Sequence, residues 1–183
     1  ILEGVLGLAD AFGRRVIAEG VESTRHGDLL LRLGCELGQG HGIARPMPAE
    51  AFPDWLANWQ PPAHWARLAP VGRARLPLLY ASVEHRAWRQ QLLAALNDSS
   101  GTPALAASAC QLRHWVKLSC DRRPFDSEPI RRQHQRIHSR AKTLVALHQR
   151  GRQDDAMAQL AALNAMSDDL LAMLEALLDA PEG

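Results

Sequence analysis

Cysteine is scarce in this chain: Cys35, Cys110 and Cys120 stand in three separate contexts. An odd number without a repeating spacing excludes a disulfide framework and points to a reducing compartment, the cytoplasm. Long apolar runs are missing as well. None approaches the roughly 20 residues needed to span a bilayer, so no membrane is expected as a partner of this segment. Aromatic residues make up 5% of the chain. They do not interleave with the basic residues, and no nucleic-acid motif is present, which argues against nucleic acid as a partner. The first residues, Ile1-Leu2-Glu3-Gly4-Val5-Leu6, carry neither an initiating Met nor a basic leader and read as the interior of a longer chain. Lys and Arg are absent from residues 153–183, which hold 7 Asp/Glu, whereas residues 73–152 hold 15 Lys/Arg against 5 Asp/Glu. The net charge of +1 hides this asymmetry. The acidic final segment is expected to pack beside the basic one, so that their charges offset.

What is present falls into two parts and a linker. In residues 1–59, Leu2, Leu6, Ala9 and Phe12 repeat at helical spacing, Val16-Ile17-Ala18 reads as a short buried strand, and Leu29, Leu30 and Leu33 mark a second helix stopped by Gly34. Glu22 is the expected cap of that helix. Residues 36–44 read as a glycine-rich strand, and Phe52, Trp55 and Trp59 as a last short helix. This alternation is that of an α/β unit with parallel strands, and two strands alone cannot cover both faces of a parallel sheet, so the part belongs to something larger. Prolines at 61, 62, 70 and 77 make residues 60–77 a linker or ordered crossover.

From Leu78 the rhythm is helical throughout. Leu78, Ala81, His85, Trp88, Leu92 and Ala95 form one stripe, and Thr102-Pro103 opens a second helix with Leu105, Ala109, Leu112 and Val116 on its apolar side. Ser127 is the expected cap of a third helix whose stripe runs Ile130, His134, Ile137, Ala141, Leu144, His148, with Gly151 as its stop. Ala156, Leu160, Leu163, Ser167, Leu170, Leu174 and Leu177 belong to a fourth. The fold class expected is mainly α: an antiparallel four-helix bundle over residues 78–178, preceded by a truncated α/β, TIM-barrel-like fragment.

His134 and His138 stand one helical turn apart and project from one face, so they can bind one ion without distorting the backbone. His85 and Cys110 on two other helices would complete a tetrahedral shell of three imidazoles and one thiolate, as zinc prefers. Two of these residues, His85 and His134, lie on core stripes, where an unpaired imidazole carries a desolvation cost of roughly 1–3 kcal/mol. Cys110 sits toward the margin of its helix, where a solvent-accessible thiolate would load readily. His114 and His148 are possible substitutes, Cys120 falls in a loop, and Trp88 and Trp115 read most simply as core.

His85 with Trp88, Cys110-Gln111-Leu112 with Trp115, and His134-Gln135-Arg136-Ile137-His138 followed by Ala141 together resemble the chemoreceptor zinc-binding (CZB) domain. The resemblance implies a cytoplasmic four-helix bundle that binds Zn2+ through His85, Cys110, His134 and His138, often as a homodimer. Arg113 departs from the family, which usually has glycine at that place. In the amino-terminal part, Val16-Ile17-Ala18-Glu19-Gly20-Val21-Glu22, Leu33-Gly34-Cys35-Glu36-Leu37-Gly38-Gln39-Gly40 and Ala44-Arg45-Pro46-Met47-Pro48 resemble the end of an EAL domain, a barrel phosphodiesterase that linearises cyclic di-GMP with two divalent metals, Mg2+ or Mn2+. His41 stands where that family commonly has tyrosine. The resemblance implies active-site positions for Glu19, which would hydrogen-bond or help activate the attacking water, and Gln39, which would position it, at the carboxyl ends of two strands. The Glu-Ala-Leu signature, the other metal ligands and the catalytic Lys would lie upstream of Ile1, so the 183 residues alone are expected to be inactive on cyclic di-GMP.

The expectation is therefore a zinc-sensing bundle that regulates an attached phosphodiesterase. Two alternatives stand beside it: a redox sensor in which oxidation of a zinc-bound Cys110 ejects the ion, and a permanent zinc staple for a dimerisation bundle.

Overall fold

Helix dominates the regular structure, in keeping with the apolar periodicity, and the chain is mainly α. The computed structural model describes residues 2–97, 110–122 and 125–180. In chain order these form α1 (Leu2–Ala11), β1 (Ile17–Ala18), α2 (Thr24–Arg32), β2 (Leu37–Gly38), α3 (Phe52–Asn58), α4 (Leu76–Asn97), α5 (Leu112–Arg122), α6 (Glu128–Gln149) and α7 (Gln153–Asp179), with short 3₁₀ turns at Ala49–Ala51 and Ala63–Arg67. The chain divides into two compact units, Ile1–Gly72 and Arg73–Gly183. Among the described residues no helix is long and apolar enough to cross a membrane.

In the first unit β1 and β2 pair in parallel, Ile17 opposite Leu37 and Ala18 opposite Gly38. The strand expected over residues 36–44 is far shorter. Gly40, at φ +157°, turns the chain back so closely that a Cβ there would stand 2.3 Å from the Val21 nitrogen. The Ile43 and Ala44 N–H groups then donate to the Gly40 carbonyl instead of to a ladder. The cap of α2 is Ser23, not Glu22: in its extended conformation the Ser23 Oγ accepts the His26 N–H at 3.3 Å, while His26 Nδ1 accepts the Glu22 N–H at 3.2 Å. A short hydroxyl reaches the first-turn donors where a longer carboxylate overshoots, and the His26 ring accepts the N–H of the residue before the cap. The proline-rich stretch is ordered against α2. Trp65 Nε1 donates to Asp28 Oδ1 at 2.7 Å, His64 Nε2 lies 2.7 Å from the same oxygen, and the Val71 N–H donates to the Arg32 carbonyl at 2.8 Å.

In the second unit α6 packs on α7, and α4 on α5 and α7. Leu92, Leu96, Leu112, Val116, Ile130, Ile137, Leu144, Leu163, Leu170 and Leu174 are almost entirely buried and form the core. The stripes hold along most of their length but slip by one residue at two ends: Leu96 is buried where Ala95 was expected, and Leu178 where Leu177 was. A fixed three-four spacing drifts against 3.6 residues per turn, so the slip belongs at the end of a long helix. The expected charge offset is found between α4 and α7, in Arg86 with Glu175 and Arg89 with Asp168. Such partly exposed pairs are worth about 0–1 kcal/mol each, so they set helix register while the leucines supply stability.

Three local expectations are corrected. Ser127 precedes α6 without a capping bond, and Asp126 Oδ1 accepts the Glu128 N–H in its stead. Cys120 lies within α5, partly buried, its Sγ 3.8 Å from the Phe125 carbonyl, because the helix continues through Ser119 to Arg122. Cys110 precedes α5 instead of lying on a helix margin, and it is buried. The expected start at Thr102-Pro103, with Leu105 and Ala109, lies outside the described residues.

Candidate metal centre

Helix α4 carries His85 on its innermost line, fully buried between the turns of Ser82 and Trp88. Helix α6 carries His134 on its buried stripe and His138 one turn later on the edge of that stripe. The non-helical residues before α5 bring in Cys110. These four are the residues singled out from the sequence, and their donor atoms all lie within 4.8 Å of one another. Cys110 Sγ is 3.2 Å from His134 Nε2 and 3.9 Å from His85 Nδ1. The His134 and His138 rings meet edge to face at 4.3 Å between centroids, and Trp88 covers the group, 4.1 Å from the His138 ring and stacked 5.5 Å from His85.

The donor set fits zinc. Metal–nitrogen and metal–sulfur bonds of tetrahedral zinc imply ligand-to-ligand separations of about 3.3–3.8 Å, close to the Cys110 distances. His138 is also buried at both ring nitrogens without a hydrogen-bond partner for either, and His85 lacks one at Nε2. In a metal-free core such nitrogens are costly, and a metal supplies the missing partner on one nitrogen of a ring. Burial and neighbouring cations keep the imidazoles uncharged. Desolvation, then His138, Arg89 and Arg86, lowers His85 to about 4; desolvation, His138, His85 and Arg113 lower His134 to about 3; desolvation and Lys142 lower His138 to about 4. Burial pushes the Cys110 thiol up to about 11, against a lowering from the Leu112 backbone N–H, and the Glu84 charge adds to the rise. The cluster thus offers three neutral nitrogen donors ready for a cation and one thiol that must shed a proton.

The remaining candidates stand apart from this group. His114 is exposed on α5 with its ring against Trp115, and His148 lies at the far end of α6. Trp115 packs on Tyr80 and Trp88 on the cluster itself, so Trp88 is both core and cover. Sequence reading passed over Glu84, whose carboxylate Oε2 accepts the Gln111 N–H at 3.3 Å. Nothing in a single sequence signals a contact across 27 residues between an ordinary helix-surface carboxylate and a backbone amide.

Because it buries an unpartnered nitrogen, His85 should weaken the metal-free protein. His85→Leu is expected to raise metal-free stability by about 1–2 kcal/mol while removing a ligand, as read by urea denaturation in excess chelator. A variant less stable than the parent under those conditions would show that the imidazole is satisfied by other means.

In the first unit Glu19 and Gln39 each follow directly on a strand, at the carboxyl ends of β1 and β2. The Gln39 N–H donates to the Ala18 carbonyl at 2.8 Å, the Val21 N–H to the Gln39 carbonyl at 3.0 Å, and Gln39 Nε2 to Glu19 Oε1 at 3.4 Å. Both side chains are therefore held at one end of the strand pair and touch. His41 lies close by, its Nδ1 4.0 Å from a Glu22 carboxylate oxygen.

The chain is similar to cyclic di-GMP phosphodiesterases. It is 46% identical over 56 residues to cyclic di-GMP phosphodiesterase PA2567 of Pseudomonas aeruginosa, covering 31% of this chain and 10% of that protein. It is 42% identical over 58 residues to cyclic di-GMP phosphodiesterase RocR of the same organism, covering 32% and 15%. It is 33% identical over 61 residues to the oxygen sensor protein DosP of Escherichia coli, covering 33% and 8%. The chain thus spans a small part of the curated relatives it matches. No protein-family model and no solved structure matches it.

Proposed function

We propose that the second unit is a zinc-binding, CZB-like antiparallel four-helix bundle attached to the end of an EAL-type cyclic di-GMP phosphodiesterase, and that zinc occupancy controls hydrolysis in the intact protein. The observation that carries this reading is the convergence of His85, Cys110, His134 and His138 from three separate chain segments. Matches of 56 and 58 residues to phosphodiesterases are about as long as the barrel fragment read over residues 1–59. Zinc, when bound, ties α4, α6 and the start of α5 together through these four side chains. Regulation follows if it binds one helix packing more tightly than another, since an ion with equal affinity for both shifts nothing. The bundle is read as a homodimer in the cytoplasm, and the intact barrel as binding Mg2+ or Mn2+ with cyclic di-GMP as substrate. There Gln39 would hold the Glu19 carboxylate toward the attacking water. In the full-length enzyme, a turnover rate indifferent to free zinc would remove the regulatory claim while leaving the binding site standing.

The charge states make a pH statement. At pH 6–8 the three imidazoles are already neutral and the thiol is protonated, so Cys110 alone would give up a proton to hold the ion. Affinity therefore rises as pH rises, about tenfold per unit across this window, because only one group loses a proton. Isothermal titration in buffers of different ionisation enthalpy should count about one proton released per ion. A count near three would mean that the histidines are protonated before loading.

The redox alternative has one observation bearing on it. In the metal-free protein Cys110 is buried with its pKa raised, which disfavours the reactive thiolate. Oxidation would then require the zinc-bound form, and zinc release by mild peroxide that Cys110→Ser abolishes and Cys120→Ser does not is the test.

A further inference from the structure

Cys110 is the one ligand not carried by a helix, and its chain neighbour provides an anchor. The Gln111 N–H donates to Glu84 Oε2 at 3.3 Å, and Gln111 directly precedes α5, its carbonyl accepting the His114 and Trp115 N–H groups. Glu84 directly precedes His85 on α4. One carboxylate thus joins the residue after the cysteine ligand to the residue before a histidine ligand. From the geometry we infer that Glu84 is a positioning residue: it holds the start of α5 against α4 and so sets the distance from Cys110 to His85 and His134. This rests on the zinc-site reading for its functional meaning, but the tether itself exists without metal.

The physical argument is one of reach and entropy. A ligand on irregular backbone keeps more freedom than one on a helix, and ordering it costs conformational entropy. A hydrogen bond from the Gln111 N–H to the Glu84 carboxylate oxygen offsets part of that cost. The bond lies toward solvent, whereas Cys110 is buried, so the tether can be altered without opening the core. The contact depends on where the oxygen lies rather than on its charge: an amide oxygen at the same place accepts the same N–H, and a carboxylate one carbon shorter does not reach it.

Three variants of the whole 183-residue chain separate reach from charge. Glu84→Gln keeps the reach and removes the charge, Glu84→Asp keeps the charge and withdraws the oxygen, and Glu84→Ala removes both. The metal-free readout is the rate of Cys110 alkylation by iodoacetamide, followed by peptide mass. Because the Glu84 charge also raises the Cys110 pKa, rates are compared at equal thiolate fraction, set from the pH dependence of each protein's rate; the expected result is then acceleration of about fivefold or more in Glu84→Asp and Glu84→Ala, with Glu84→Gln close to the parent. The metal readout uses cobalt(II) as a probe. The thiolate-to-cobalt absorption band at equal cobalt loading should fall by half or more in Glu84→Asp and Glu84→Ala and persist in Glu84→Gln. Equal alkylation rates in all four proteins would overturn the inference, as would Glu84→Asp behaving like the parent while Glu84→Gln behaves like Glu84→Ala. Should the parent show no cobalt–thiolate band, the zinc-site reading fails, and the alkylation arm still decides the tether. Circular dichroism checks each fold, and Glu84→Asp, the mildest change, tests the tether even where Glu84→Ala does not fold.

Discussion

Replacing His134 and His138 together by alanine is expected to abolish tight zinc binding. The two side chains supply half of the ligand set from a single helix face, and their rings touch, 4.3 Å between centroids. What remains is His85 and Cys110, which cannot enclose a tetrahedral ion. Structural zinc sites with four ligands contribute about 10–16 kcal/mol of binding free energy at neutral pH. Losing half of even the lower figure removes about 5 kcal/mol, or between three and four orders of magnitude in affinity. Isothermal titration of the 183-residue chain with zinc, beside the double variant, reads this directly. Equal tight binding by the two proteins would sink the site. His138 is only partly buried, so His138→Ala alone should keep the fold and lose most of the affinity, which guards against a double variant that fails to fold.

The second large effect is thermal. Zinc held at about 1,000 times its dissociation constant should stabilise the second unit by about 4 kcal/mol, provided it does not bind the unfolded chain. For a domain near 100 residues, 1 kcal/mol shifts the midpoint by roughly 4 °C or more, so chelation should lower the melting temperature by about 15 °C. Helicity at 20 °C is expected to survive chelation. Leu92, Leu96, Leu144, Leu163, Leu170 and Leu174 are buried without any help from metal, and each such side chain contributes about 1.5–3 kcal/mol. Collapse of the helical circular dichroism signal on chelation would favour the permanent staple and remove the switching reading.

How much was legible beforehand depended on the range of the interaction. The stripes Leu78–Ala81–His85–Trp88–Leu92 and Ile130–His134–Ile137–Ala141–Leu144 were readable because helical burial is periodic, and the structure buries every one of these residues. The four donors could be named because the His134–His138 spacing is a local rule, and because His85 fell on a core stripe where an imidazole is expensive. Failures came where local signals compete. Glu22 and Ser23 are adjacent, and the shorter hydroxyl is the one that reaches the first-turn N–H of α2. Glycines at 38, 40 and 42 suit a strand and a tight turn alike, and the close approach of Gly40 to Val21 selects the turn. Cys110 was assigned to an exposed margin by extending a helical period to it, whereas Cys110 and Gln111 precede α5.

By itself the sequence determined the mainly helical character and the division of apolar and charged faces, because these follow from periodicity within a few residues; the set His85, Cys110, His134 and His138 came from donor chemistry together with the resemblance to the CZB domain. Only the tertiary structure decided that the four converge within 4.8 Å, that Cys110 is buried ahead of its helix, and that Glu84 reaches the Gln111 amide across 27 residues. Those are facts about separate chain segments meeting. A hydrogen bond or a ligand distance between α4 and the residues before α5 depends on how the helices around them pack, and no spacing along the chain encodes it.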